Sequence, residues 1–399
     1  MHRLWIFAVV LASMMACFVP VRAEVGVTDN QILFGSFQDM SGPAAYLGKM
    51  STATFAIWKH WVNEIKGGIH GRKIDVVIED NKFDPVLTKT AFKKLVHQHQ
   101  VFAIVGVYGS TPCMAIKDDI ASEKIPVFPT LAGTQSIFDP PNRYLYSFAI
   151  NGQDEGILAV DFVVNDLKVK NAKIGIVYQD DEWGKDGLAG IEMGSRKHGL
   201  KHTEAPYKRG DKSLSSQVMK LKAAGVTHCF VVAYAPVYAA LLDEANKIGW
   251  KPAFISTYAT VDSKTMEIGG ELSDGQYHIF HQTLRHEGGP GWQLMEKLFG
   301  ANEQTKPLLD VPLSSGYWMP IMYLTQALEN AGRDLTREKL VEALDHMKNF
   351  DAMGLGKISY APQVRKGAHQ FRILRADFQS KIFVPVTDWR EPSLKWGQR

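Results

Sequence analysis

Apolar positions along this chain switch between two spacings. Residues 32–37, 74–78, 102–105 and 126–128 are short, mostly apolar runs set off by polar or glycine-containing turns, and they read as buried strands. Between them the period lengthens. Met50, Ala53, Ile57, Trp61 and Ile65 fall three or four apart and predict one helix face, which Gly67-Gly68 ends. Asp84-Pro85 opens a second helix reaching about His99, with Pro in its first turn, and residues 112–122 predict a third. The pattern then restarts, with helix 154–166, strand 174–178, helices 185–198 and 213–224, strand 228–233, helix 238–248 and strand 253–256. The last third is less regular, with helices at 317–331 and 337–346 and strands at 357–360 and 370–374. Strands alternating with helices predict parallel sheets covered on both faces, so two such series predict an α/β chain of two doubly wound lobes. No low-complexity tract or long Pro/Ser linker separates them, which points to short crossing strands rather than a flexible tether.

The first 23 residues differ from the rest. His2 and Arg3 form a basic head, residues 4–19 carry no charge, and Val21-Arg22-Ala23 offers residues that a signal peptidase tolerates. Residues 1–23 are therefore expected to be a secretory signal peptide, leaving Glu24 first and the protein in the periplasm. A membrane anchor is the other reading, but about 16 uncharged residues fall short of the ~20 that a span needs. A lipoprotein at Cys17 is the lesser option, because Met14-Met15-Ala16-Cys17 lacks the Leu usual three residues before the Cys. Without Arg3 and Arg22 the net charge of +3 falls to +1. That balance argues against a nucleic-acid partner, which needs a basic face. Cys113 and Cys229 remain. A bond between them would lock the two lobes together, so both are expected to be free, buried thiols.

In doubly wound sheets ligands sit beyond the carboxyl ends of the strands, so the loops there carry the candidate chemistry. In the first series they read Asp39-Met40-Ser41-Gly42-Pro43-Ala44-Ala45-Tyr46, Gly106-Val107-Tyr108-Gly109-Ser110-Thr111-Pro112 and Thr130-Leu131-Ala132-Gly133-Thr134. In the second they read Gln179-Asp180-Asp181-Glu182-Trp183-Gly184, Tyr234-Ala235-Pro236 and Thr257-Tyr258-Ala259. Small and hydroxyl residues stand before helix starts, where free N–H groups can hold a carboxylate. Tyr46, Tyr108, Trp183, Tyr234 and Tyr258 supply flat apolar walls with a polar tip. Enzyme signals are thin: there is no G-x-S-x-G, and Gly106-Val107-Tyr108-Gly109 lacks the third glycine of a dinucleotide loop. The pairs His97/His99, His198/His202 and His278/His281 have no third ligand at metal spacing, and Asp180-Asp181-Glu182 reads as an acidic helix start. No catalytic residue, metal or cofactor is expected.

Several runs together resemble the branched-chain amino-acid (Leu/Ile/Val) binding-protein family, the type I periplasmic receptors of ABC transporters. They are Met40-Ser41-Gly42-Pro43-Ala44-Ala45, Gly67-Gly68-Ile69-His70-Gly71-Arg72-Lys73-Ile74, Glu79-Asp80-Asn81-Lys82-Phe83-Asp84-Pro85, Ala103-Ile104-Val105-Gly106 and Tyr178-Gln179-Asp180-Asp181-Glu182-Trp183-Gly184. The resemblance covers nearly all of residues 24–399. It implies two lobes joined by three crossings, 24–148 plus 280–350 and 149–279 plus 351–399, closing on ligand by a hinge. It also implies site residues. Ser110 matches a Ser whose hydroxyl and N–H hold the ligand carboxylate, with Tyr108 and Gly109 in the same wall. Leu131, Ala132 and Gly133 match a second carboxylate-facing loop, with the register open by one or two residues. Trp183 falls where the family often has Tyr, Tyr234 matches a Tyr of the second lobe, and Tyr46 or Leu47 falls at the side-chain end.

Two positions depart from the family. Amino-acid binders place an acid after the 253–256 strand to pair with the ligand ammonium, and Tyr258 stands there; Phe83 occupies one expected Cys position. A buried ammonium without a carboxylate is costly. The expected ligand is therefore a small carboxylate with an apolar or aromatic body rather than a plain α-amino acid. The expected role is a monomeric solute receptor that hands this ligand to a membrane ABC permease. An amino-acid receptor and a ligand sensor on the same fold are the alternatives, and an NAD-dependent dehydrogenase is a distant one that would need a fingerprint the sequence lacks.

Overall fold

The computed structural model describes residues 24–42 and 45–394; the expected signal peptide and Cys17 lie outside the described residues. Four apolar runs form strands Gln31–Gln38 (β1), Lys73–Asp80 (β2), Ala103–Tyr108 (β3) and Val127–Leu131 (β4). They make one parallel sheet in the order β2-β1-β3-β4, with a bulge in β3 beside Gly106. The second sheet comprises Ile174–Gln179 (β5), His202–Tyr207 (β6), His228–Val232 (β7), Ala253–Ser256 (β8) and Tyr277–Phe280 (β9). After the small hairpin Phe350–Asp351 (β10) and Lys357–Ile358 (β11), it is completed by Arg372–Asp377 (β12) and Ile382–Pro385 (β13). Its order is β13-β12-β9-β8-β7-β5-β6, so both sheets reverse strand order beside their first strand, which is where such sheets open a crevice.

The second sheet corrects the expectation of a purely parallel one. β12 runs antiparallel to β9, and β13 antiparallel to β12, because the chain returns to this sheet from the other lobe and closes its edge with a hairpin. Strands β6, β9 and β13 and the helix Pro290–Gly300 have no counterpart in the sequence pattern. β6 reads His-Thr-Glu-Ala-Pro-Tyr at a sheet edge, with only Ala205 and Tyr207 buried, so it lacks an apolar run. Helices Ala45–His60, Pro85–Lys93 and Gly152–Asp161 each pass into a single π turn, at Trp61–Ile65, Lys94–Gln98 and Phe162–Asp166. The predicted helix 112–122 divides at Ile116 into Ser110–Ala115 and Lys117–Glu123.

Packing ties distant segments together. Trp58 lies fully buried 5.0 Å from the Phe34 ring and donates its indole N–H to Thr325 in the helix Ser315–Ala331. Between the two sheets the chain runs through segments near Ser147, His281 and Lys366, and Ser147 pairs with Lys366 in a parallel bridge. Neighbouring residues of that last crossing are anchored in opposite directions by buried ion pairs. Arg365 pairs with Asp345 and stacks on Tyr146, while Lys366 pairs with Asp154 at the start of Gly152–Asp161. Cys113 and Cys229 are buried and free.

Candidate ligand-binding site

The loops beyond β1, β3, β5, β7 and β8 converge between the sheets. Tyr108 ends β3; its buried ring lies 5.3 Å from Phe83 and 6.3 Å from Tyr234 across the cleft. Gly109 turns the chain at φ 88°, and a Cβ there would sit 2.4 Å from the Phe83 ring, so only glycine fits against that wall. Ser110 then begins the helix Ser110–Ala115 and is nearly buried. Leu131 ends β4, and Ala132 is fully buried with its carbonyl accepting the Ser147 hydroxyl at 2.8 Å. Gly133 approaches Ile150 so closely that a Cβ would meet its carbonyl oxygen at 1.9 Å.

The opposite wall is aromatic. Trp183 belongs to the first turn of a helix that starts at Glu182, three residues earlier than its apolar spacing indicated, because Asp181 caps it by accepting Gly184 N–H at 3.0 Å. The Trp183 ring lies 5.0 Å from Tyr234 and 6.4 Å from Tyr258. Tyr234 precedes the helix Ala235–Lys247, whose Pro236 stands in the first turn. Tyr258 opens a 3₁₀ turn after β8 and is buried. Tyr46, in the first turn of Ala45–His60, is half-buried. Burial, reinforced by Asp262 and Tyr234, pushes its phenol pKa well above the usual value. A cavity of about 200 Å³ lies between Tyr46 and Leu47 on one side and Gln179, Tyr207, Arg209 and Tyr234 on the other. The lobes also touch directly, with Thr111 donating to the Glu182 carboxylate at 2.9 Å and Thr134 to the Glu182 carbonyl at 3.1 Å.

Three residues join this site without a signal in the pattern. Phe83, noted only as a missing cysteine, forms part of the first-lobe wall. The Arg209 guanidinium lies 4.1 Å from the Phe83 ring centroid and 3.3 Å from the Asp181 carboxylate, so its charge is already engaged. Tyr317, from the helix Ser315–Ala331, is buried with its hydroxyl unpartnered among the described residues. Burial raises its pKa well above the usual value, and Tyr46, Tyr234, Tyr258 and Asp262 add to the rise. A second cavity, of about 300 Å³, lies at the last crossing, but Lys366, Asp154 and Arg365 in its wall are already paired. The interlobe cavity is walled by the rings of Tyr46, Tyr207 and Tyr234, and Tyr108 and Trp183 pack on Tyr234 beside it.

A profile described as periplasmic binding protein matches residues 31–381. The chain belongs to the periplasmic binding protein family. Leu/Ile/Val-binding protein homolog 8 of Brucella abortus is 24% identical over 344 residues, spanning 82% of this chain and 83% of that protein. Among solved structures, a fatty acid ABC transporter substrate-binding protein of Thermomonospora curvata superposes with a TM-score of 0.83 at 24% identity, covering 93% and 95% of the two chains. A branched-chain amino-acid ABC transporter protein of Thermus thermophilus with bound valine gives 0.82 at 20%, covering 92% and 98%. A solute-binding protein of Rhodopseudomonas palustris with 3,4-dihydroxybenzoic acid gives 0.78 at 17%, covering 91% and 98%. These structures share the fold. Among the described residues no helix is long and apolar enough to cross a membrane.

In this periplasmic binding protein the position of Tyr258 does lack an acidic side chain, yet two buried carboxyls stand close by. Glu155, fully buried, accepts the Tyr258 backbone N–H at 2.8 Å through Oε1, while Oε2 has no partner among the described residues. Burial drives its pKa up; the Tyr258 amide opposes the rise, and Asp154 and Asp186 reinforce it. Asp262 caps Ser263–Gly269 by accepting Lys264 N–H at 3.0 Å, and its Oδ2 is unpartnered among the described residues. Neither was legible in the sequence. Glu155 lies one turn inside a helix, and only tertiary packing brings it to the end of β8.

Proposed function

We propose that this chain is the solute receptor of an ABC importer, working in the periplasm as a monomer, binding without catalysis and closing its lobes on a small carboxylate with an aromatic or apolar body. The observation that carries this reading is the aromatic enclosure. Tyr108 from the first lobe and Trp183, Tyr234 and Tyr258 from the second bracket one cleft with ring separations of 5.0–6.4 Å. In the reading, Ser110 and the amides around Gly109 and Leu131-Ala132-Gly133 hold the carboxylate, and Tyr46 closes the far end. Arg209 is engaged by Asp181, which leaves hydroxyl and N–H donors for the anion. The ligands named for three structural neighbours, a fatty acid, valine and a dihydroxybenzoic acid, are all carboxylic acids.

The lobes are taken as 24–148 with 280–350, and 149–279 with the residues from 351 on. The packing of Tyr360 on Phe128 and Tyr146 argues for moving the last boundary towards Lys366. The second reading, an amino-acid receptor, is favoured by one observation, the buried carboxyls of Glu155 and Asp262 beside Tyr258. A thermal-shift screen of the chain from Glu24 on, against aromatic and short aliphatic carboxylates, branched amino acids and NAD, separates these readings. Stabilisation by the carboxylates alone supports the proposal, stabilisation by leucine or valine replaces it with the second reading, and stabilisation by NAD contradicts both.

A further inference from the structure

Three buried polar atoms from three different segments gather at the carboxyl end of β8 with no hydrogen-bond partner among the described residues: Glu155 Oε2, Thr257 Oγ1 and His281 Nδ1. Buried polar atoms in native proteins are nearly always paired, so open atoms around one strand end next to the cleft wall are where a ligand's polar group can be answered. Each is held in place. Glu155 Oε1 accepts the Tyr258 amide at 2.8 Å, which fixes the carboxyl against the loop that carries Tyr258. The His281 ring stands 5.8 Å from Tyr258, edge to face, and 5.5 Å from Phe148. Thr257 and Tyr258 are adjacent, and Tyr258 is in turn 6.4 Å from Trp183 in the cleft wall.

The donors and acceptors can be assigned. Gln282 Oε1 accepts the Ser315 hydroxyl, which leaves the Gln282 amide N–H to donate to His281 Nε2 at 3.1 Å. His281 Nε2 is thus the acceptor nitrogen, and Nδ1 carries the proton and donates. Burial pushes the His281 pKa down to about 3, so the ring is neutral. Burial raises that of Glu155, with Asp154 and Asp186 reinforcing the rise and the Tyr258 amide opposing it, and a hydrogen bond donated to Oε2 by a ligand favours its ionised form. Lys366, the cation of this region, is committed to Asp154. The strand end therefore offers a fixed donor at His281 Nδ1, an acceptor at Glu155 and a rotating hydroxyl at Thr257. An ammonium group, which only donates, leaves His281 Nδ1–H unanswered. A hydroxyl both donates and accepts, and answers both.

We propose that Glu155, His281 and Thr257 form a hydroxyl-reading subsite, so that the ligand is a hydroxylated carboxylate rather than an unsubstituted acid or an amino acid. This rests on the carboxylate reading above and adds the group at the other end. The hydroxyl can sit on the carbon next to the carboxylate or on the ring, and matched ligands distinguish the two. Calorimetry on the purified protein would compare 3-phenylpropionate, phenyllactate, phenylalanine and 3-(4-hydroxyphenyl)propionate, which share a skeleton and differ in one group. One of the two hydroxylated acids is expected to bind about tenfold or more tighter than 3-phenylpropionate, the scale of one well-made hydrogen bond to a polar buried partner.

Phenylalanine is expected to bind more weakly than phenyllactate. Glu155→Gln keeps an oxygen for the Tyr258 amide but turns the second acceptor into a donor. It should shrink the hydroxyl preference, read as the ratio of the two dissociation constants on the same variant, to about threefold or less. Thr257→Val should reduce the same preference with the melting temperature held, which separates a ligand contact from a folding defect. Equal binding of hydroxylated and plain acids by the parent protein overturns this inference alone. Tighter binding of phenylalanine overturns it in favour of an ammonium site. Failure of every carboxylate to bind removes the underlying reading and this subsite with it.

Discussion

The Trp183 and Tyr234 rings lie 5.0 Å apart at the centre of the aromatic wall, with Tyr258 6.4 Å from Trp183 and Tyr108 6.3 Å from Tyr234. Trp183→Ala or Tyr234→Ala is expected to weaken ligand binding about tenfold or more by calorimetry, with little change in the melting temperature of the empty protein. Gly109→Ala is expected to act the other way, destabilising the fold by more than ~1 kcal/mol through its φ of 88° and the Phe83 contact, which a thermal melt reads. Asp186 gives a pH prediction. Burial pushes its pKa up to about 7, against an ordinary value of 3.8, while hydrogen bonds from Gln135 and Gln153 oppose the rise. A raised folded pKa means its favourable contribution is complete below about pH 4 and is lost as pH rises through about 7. Asp186→Asn should therefore gain in melting temperature relative to the parent across that window and stay level above it; a difference independent of pH would show that Asp186 does not titrate there. Tyr108, Ser110, Trp183 and Tyr234 were legible because each follows an apolar strand closely in sequence. Phe83, Tyr317, Glu155 and His281 were not, because helix faces and crossings far apart in the chain carry them.

At the scale of elements, the strands that bury both faces were readable as apolar runs, while those at edges or at the return of the chain were not. β6 exposes alternate residues and contains Pro206, and β9 supplies four residues to a sheet completed by β12 and β13 from the far end of the chain. Helix starts were misplaced where a cap, rather than the apolar spacing, sets them, as at Asp181 before Trp183. Caps also hold the crossings. Asn151 accepts the Asp154 N–H at 2.8 Å and donates to Gln135 Oε1 at 2.6 Å, joining the helix Gly152–Asp161 to the short helix Gln135–Phe138. Asn151→Ala is expected to lower stability by about 1 kcal/mol or somewhat more, read as a lower denaturation midpoint.

For the whole molecule, the two sheets of one chain meet at a crevice that neither could form alone, and the crossings decide how they meet. Arg365 and Lys366 are consecutive residues of the last crossing, and each holds a buried carboxylate, Asp345 and Asp154 respectively. Lys366→Met removes the ammonium from Asp154 and should destabilise the protein by roughly 3 kcal/mol or more in denaturant unfolding, since breaking one partner of a buried pair is the expensive change. The proposed receptor role stands on ligand chemistry. The measurement that tests it most directly is a calorimetric titration of the chain from Glu24 on with a single-ring carboxylate such as 3-phenylpropionate or its hydroxylated analogues, beside leucine. Saturable binding of the ring-bearing acid is expected, with a gain of about 2.7 kcal/mol in stability at a hundredfold excess over its dissociation constant, and leucine weak or silent. Tight binding of leucine without binding of any ring-bearing acid would contradict it.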